Sequence, residues 1–234
     1  MNTLCQPKKV HSLIFRKILK WAESNQQNYS EDYFEKQKWS CYKDYSWKPK
    51  IIFPRVAAII KYADLKPGQK ILDYGCAKGF YVKRFCELNY DAIGVDISKY
   101  ALSRNPPEIK KRLFELKNFP LETIGDQYFD LTLAKDVLEH IPPFALKFIV
   151  KQLKRISKKL LVVVPFCQKN GGQFFNPEDE KDKNHLIRLS SQEWKKIING
   201  VENRSLCQIL KGEKSKGSLC LIFRQNPANT KLGL

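Results

Sequence analysis

Ile71-Leu72-Asp73-Tyr74-Gly75-Cys76-Ala77-Lys78-Gly79 reads as a short buried strand that ends near an acid and breaks into a glycine-bearing turn. A helix over residues 80–88 follows at once. A strand feeding a helix through glycines lets backbone N–H groups and the helix N-terminus come close to a ligand. The stretch is therefore read as a cofactor cradle, and the rest of the chain is read around it.

On the C-terminal side the alternation is regular. A strand over 92–95 ends at Asp96, and Ser98 is placed to cap a helix reaching about Arg104. A weaker strand over 112–116 and a strong one over 129–134 follow, then a helix over 144–156 and a strand over 160–164. This rhythm predicts an α/β fold with a parallel, doubly wound sheet that binds ligands at the carboxyl ends of its strands. Residues 167–185 form a polar loop carrying Gly171-Gly172, expected to act as a lid or substrate loop. A helix over 191–199 and strands over 205–210 and 218–223 close the domain, with hairpin composition between the strands.

On the N-terminal side, apolar residues at helical spacing run over 51–63, and Pro67-Gly68 breaks the chain before the cradle strand. Residues 13–22 form an amphipathic helix interrupted by Arg16, Lys17 and Lys20, expected to pack on the domain. Residues 29–47 are unusually aromatic. They are expected to serve as a flap over a small-molecule pocket or as satellite core, ahead of stacking on bases. The expected organisation is a leader over 1–50, a ligand-binding domain over 51–225 and a frayed tail over 226–234.

Composition bounds the function. At 234 residues with 43% hydrophobic content, the chain suits one α/β domain with a sizeable core. Forty-two basic against 24 acidic residues give a formal charge of +18. That charge fits an anionic partner such as nucleic acid, or a lysine-rich background spread thinly. The basic residues are dispersed and never reach a long run, which favours the second explanation, because a binding footprint clusters. The seven cysteines are scattered without a C-x-x-C pair. This excludes the usual zinc spacings and predicts reduced thiols in a cytoplasmic protein without a membrane span.

A dinucleotide site needs G-x-G-x-x-G, whose second glycine lets the backbone close on a pyrophosphate. Here Ala77 stands in its place, and a third glycine is missing from the expected offset. Asp96 lies about where an acid takes ribose hydroxyls. The expected ligand carries a ribose and needs no phosphate.

These motifs resemble the class I S-adenosylmethionine-dependent methyltransferases, and the resemblance covers residues 51–223. The cradle is similar to that family's first motif, and Gly94-Val95-Asp96-Ile97-Ser98 to its second. Phe129-Asp130-Leu131-Thr132-Leu133, followed by Asp136-Val137-Leu138-Glu139-His140-Ile141, is similar to the fourth-strand motif beside the reacting centre. The resemblance implies a Rossmann-like, mostly parallel seven-stranded sheet with an antiparallel last strand, and S-adenosyl-L-methionine as cofactor. It implies Asp73, Gly75, Cys76, Ala77 and Gly79 around the methionine moiety, and Asp96 and Ile97 at the ribose. Asn118, counted back from Asp130, falls where an acid often holds the adenine amino group, and Lys135 points at a carboxylate of cofactor or substrate. The aromatic leader, His185 and Ser190-Ser191-Gln192-Glu193-Trp194 resemble a bacterial subgroup associated with sugars, surface glycans and secondary metabolites. The expected reaction is O-methylation of a small-molecule or sugar-type acceptor.

Methyl transfer from a sulfonium is an in-line displacement in which a hydroxyl acceptor must also lose a proton. The chemistry requires no metal, and none is expected. His185 is a candidate general base, or else a surface loop histidine; His140 borders the substrate pocket, or else pairs with the adjoining helix. Asp136 is a reserve candidate. Asp182 orients His185 or is a solvated acid among lysines. Asp130 and Glu139 are expected to fix backbone geometry.

RNA methylation is the main competing function, and a non-catalytic cofactor-binding scaffold the second. Asn105-Pro106-Pro107-Glu108 mimics the turn of base amino-methylases but follows the wrong strand and lacks the aromatic residue. Cys167 is a weak candidate for the thiolate of cytosine C5 chemistry.

Overall fold

The computed structural model describes residues 12–40, 42 and 44–225. His11, Cys5, Cys41 and the expected frayed tail lie outside the described residues. Strand β1 (Lys70–Tyr74) is apolar enough to be covered on both sides, as a central parallel strand must be. Around it the sheet has seven strands in the order β3-β2-β1-β4-β5-β7-β6. The others are β2 (Asp91–Asp96), β3 (Leu113–Glu115), β4 (Leu131–Lys135), β5 (Lys159–Pro165), β6 (Val201–Glu202) and β7 (Ser218–Arg224). The pairs from β3 through to β5 are parallel, while β7 runs antiparallel to both β5 and β6.

Two helical layers sandwich this sheet. The helices are α1 (Leu13–Ser24), α2 (Glu31–Glu35), α3 (Pro49–Ala63), α4 (Phe80–Glu87), α5 (Lys99–Ser103), α6 (Pro143–Ile156), α7 (Ser191–Ile198) and α8 (Arg204–Lys211). Side chains alternate along each strand. Leu160, Val162 and Val164 of β5 join the core under α1, α6 and α7, while Leu161 and Val163 join the core under α3, α4 and α8. Phe15 and Ile18 of α1 are buried in the first of these cores, so the leader helix is part of the fold's packing. No helix among the described residues is long and apolar enough to cross a membrane.

One expected element is different in kind. Residues 205–210 form helix α8 instead of a strand. Asn203 caps it by accepting a hydrogen bond from Leu206 N (2.9 Å), and Leu206, Cys207 and Leu210 bury one helical face. The sheet edge is filled instead by the two residues of β6. The stretch over 212–217, expected as a hairpin turn, is a 3₁₀ segment joining α8 to β7.

Candidate active site

The carboxyl ends of β1, β2 and β4 open on one cavity of about 580 Å³, a size usual for small-molecule sites. The turn after β1 is held against β2, with Gly75 N and Cys76 N both donating to Val95 O (2.8 and 3.1 Å). Gly75 has φ +83°, and a Cβ there would strike Val137 in the turn after β4. Only glycine meets both conditions without strain. Ala77 has φ +49°. A residue with a Cβ in the left-handed region is uncommon and clusters at ligand clamps, and this backbone suits the glycine that the dinucleotide fingerprint carries there.

Asp96 closes the cradle. Its Oδ2 accepts from Ala77 N (2.7 Å) and its Oδ1 from Ser98 N (2.8 Å). Burial raises its pKa, and these amides, with that of Ile97, oppose the rise. Each carboxylate oxygen keeps a lone pair for a further donor. Asp73 is buried beside it. Burial, then the neighbouring Asp96, pushes the Asp73 carboxyl up to about 7, against the pull of Lys135.

Asp73, Gly75, Cys76, Ala77, Asp96, Ile97 and Lys135 all line the cavity, whereas Gly79 and Asn118 do not. Gly79 caps α4 at φ +78°, where a Cβ would meet Leu113 and Ile109, so its smallness serves packing under β3. Asn118 is exposed, and Leu116, two residues earlier, faces the cavity instead. Short 3₁₀ turns over Leu116–Asn118 and Leu121–Thr123 fill the connection to β4, so counting back from Asp130 misses the lining position. Asp130 itself accepts from Lys70 N and Lys158 Nζ (both 2.8 Å) and ties β1 to the segment before β5.

The opposite wall comes from two distant segments. From the leader, Tyr29, Tyr33, Tyr42 and Tyr45 line the cavity. Tyr45 stacks on Phe80 (5.6 Å), Tyr29 O accepts from Ser98 Oγ (2.6 Å), and Glu35 pairs with the buried Lys78 of the cradle turn. From the loop after β5, Leu186 N and Ile187 N both donate to Glu139 O (2.8 and 2.9 Å). These bonds carry His185 to His140, with ring centroids 4.8 Å apart. Arg188 forks onto Glu180 (2.9 and 2.8 Å) and fastens the loop on itself.

His185 is therefore no surface histidine; its side chain is 7% exposed. Burial, then the adjacent His140, pushes its pKa down to about 2, so the imidazole is neutral. Asp182, weighed above as a solvated acid, is buried: its Oδ2 accepts from Tyr33 OH (2.7 Å) and lies 3.9 Å from His185 Nε2. His140 Nδ1 meets Asn184 O (3.1 Å), which makes that nitrogen the N–H donor and leaves Nε2 as the acceptor. Asp136, at φ +53°, is clamped between Lys135 and Lys211 Nζ (2.7 Å). Burial pushes its carboxyl up, but the two ammonium groups win and hold it well below the usual carboxylate range. Such a group stays ionised and is unfit to accept a proton near neutral pH.

Lys211 escaped the reading of the sequence, because its contact with Asp136 spans 75 residues and leaves no spacing to read, whereas Tyr29 and Tyr33 belong to the aromatic stretch expected as a flap or satellite core and line the cavity. The Asp182-x-x-His185 pair was the one local sign of the loop's contribution. Cys167 is 1% exposed and burial raises its thiol to about 11, which removes the activated thiolate that cytosine chemistry needs. Asn105 does not line the cavity.

The profile of a family described as a methyltransferase domain matches residues 65–217. A phosphoethanolamine N-methyltransferase of Triticum aestivum is 33% identical over 119 residues, covering 46% of this chain and 22% of that protein. An uncharacterised protein of Methanocaldococcus jannaschii is 28% identical over 140 residues, covering 57% and 60%. The chain thus spans only about a fifth of the plant relative. Among solved structures, the 1,6-didemethyltoxoflavin-N1-methyltransferase of Burkholderia thailandensis, with 1,6-didemethyltoxoflavin and S-adenosylhomocysteine bound, superposes with a TM-score of 0.59 at 14% identity. That match covers 95% of this chain and 93% of that one. An S-adenosylmethionine-dependent methyltransferase of Archaeoglobus fulgidus gives 0.55 at 16% identity, covering 76% and 97%. At these identities the structures establish the shared fold.

Proposed function

The chain belongs to the class I S-adenosylmethionine-dependent methyltransferases, and from that premise we propose that it methylates a hydroxyl of a small-molecule or sugar-type acceptor. The observation that carries this reading is a single cavity with two unlike ends. One end is the cradle with its paired acids, Asp73 and Asp96, and the other is the histidine pair under the tyrosine wall.

The cradle residues fit the cofactor. Asp96 is oriented by backbone amides to accept the ribose hydroxyls, and Asp73 supplies negative charge to a ligand that carries a sulfonium and an ammonium. Bound S-adenosylmethionine would supply an electrophilic methyl group. The chain's own work is to align the acceptor oxygen with it, to exclude water with Tyr29, Tyr33 and Tyr45, and to ease loss of the hydroxyl proton at the His140 and His185 end.

A second reading, N-methylation of an amine, is favoured by the plant phosphoethanolamine enzyme and by the acids Asp136, Glu139 and Asp182 around the tyrosine wall. Incubation with methyl-labelled S-adenosylmethionine, against matched panels of hydroxyl and amine acceptors and an RNA fraction, separates these readings. Label in the hydroxyl panel is expected. Label confined to amines overturns the O-methyl assignment, and label confined to RNA overturns the small acceptor. Cofactor binding with label in none of the three would leave only a non-catalytic scaffold.

A further inference from the structure

Glu139 and His185 each bury a polar atom, Oε2 and Nδ1, that has no hydrogen-bond partner. Glu139 is 1% exposed. Burying a carboxyl oxygen or an imidazole nitrogen without a partner costs free energy, and two such atoms side by side call for an explanation. His140 belongs to the same cluster, and one donor atom from each of Glu139, His140 and His185 lies within 4.8 Å of the other two.

We propose that Glu139, His140 and His185 bind one divalent cation of the zinc class, facing the acceptor end of the cavity. Two imidazoles and one carboxylate form a donor set that suits zinc and leaves coordination positions open for an incoming oxygen. Neighbouring groups already orient the donors. The His140 Nδ1–H is held by Asn184 O (3.1 Å), which turns Nε2 free for a ligand bond. Asp182 Oδ2, fixed by Tyr33 OH, lies on the Nε2 side of His185 (3.9 Å) and leaves Nδ1 as the donor. The backbone bonds from Leu186 and Ile187 to Glu139 O fix the loop histidine against the other two residues.

The surrounding charge tolerates a cation. Asp136 pairs with both Lys135 and Lys211, Lys214 faces Asp179 (3.7 Å), and Asp182 adds a carboxylate that offsets the remaining positive charge. Binding would give both orphaned atoms a partner, with roughly 2.0–2.2 Å bonds drawing the three donors closer together. At this position the ion would polarise an acceptor hydroxyl and ease loss of its proton. This catalytic role rests on the hydroxyl-acceptor reading above, whereas ion binding does not. The expectation of no metal, drawn from cysteine spacing and from the minimal chemistry, took no account of two histidines brought together from 45 residues apart.

The test is a zinc titration of untagged, chelator-stripped protein in competition with a chromogenic chelator. One ion per chain is expected, with affinity lowered at least about 100-fold in both Glu139→Gln and His185→Ala. Unchanged binding of S-adenosylhomocysteine by His185→Ala checks that this variant is folded. Uptake that persists equally in both variants would assign the ion to thiols elsewhere and overturn the proposal. If either variant fails to fold, cobalt(II) added to the wild type decides. Visible absorption stronger than that of the hydrated ion supports inner-sphere binding, and a hydrated-ion spectrum overturns it. Zinc binding without methylation of any hydroxyl acceptor would keep the site and discard the acceptor reading.

Discussion

The two ends of the cavity are built by different means. The cofactor end is made of backbone: two consecutive amides on Val95 O, two positive-φ positions and an acid fixed by amides, all from β1, β2 and the turns after them. The acceptor end is made of side chains from three distant segments, the leader, the turn after β4 and the loop after β5, joined by contacts such as Tyr33 to Asp182. The first kind of construction is fixed by local sequence and suits a constant ligand. The second can be changed one side chain at a time, and so can specialise for an acceptor.

The largest expected effect falls where the two ends meet. Asp136→Asn keeps a residue type that tolerates the left-handed backbone but leaves Lys135 and Lys211 uncompensated. A stability loss of about 3–5 kcal/mol is expected in denaturant unfolding. A loss near zero would mean that the lysines are solvated and the ends independent. At the cofactor end, Asp96→Asn should weaken S-adenosylhomocysteine by about 10- to 100-fold, the worth of hydrogen bonds to a charged acceptor. Calorimetry reads this directly, and an unchanged affinity would remove Asp96 from the ribose.

Asp73 gives a pH-dependent contrast of intermediate size. Its carboxyl sits at about 7 in the folded chain, against about 3.9 when unfolded. The folded state therefore holds the proton more tightly, so this contribution to stability is present below about pH 4 and is lost as pH rises to about 7. The melting temperature of ligand-free Asp73→Asn should gain on wild type between pH 4 and pH 8. A constant gap would contradict the buried, raised acid. The smallest effect is expected at the acceptor end, where Tyr33→Phe removes the bond to Asp182. About 1 kcal/mol of stability should be lost, with turnover falling and cofactor affinity unchanged. Equal losses in both would place Tyr33 in the cradle instead.

The same division decides what could be read in the sequence. The strand–turn–helix at residues 70–87, the acid at Asp96 and the alternation of parallel strands with helices follow from local patterns, and the structure contains them. Residues 205–210 were misread because Ser205-Leu206-Cys207-Gln208-Ile209-Leu210 is a short apolar run, for which helical and extended periods cannot be told apart. The cap at Asn203 was the available sign. Asn118 was misplaced by counting residues through two 3₁₀ turns. The burial of Asp182 and His185 and the Lys211 clamp depend on tertiary contacts, which no window of sequence displays.

The separation of the two ends is tested most directly by titrating S-adenosylhomocysteine into wild type and His185→Ala side by side. Saturable binding of one ligand per chain is expected, with micromolar affinity equal in the two proteins to within about twofold, well under 1 kcal/mol, and turnover lost only in the variant. Absence of binding in the wild type, or its loss with His185, would contradict a cradle that holds the cofactor independently of the acceptor end.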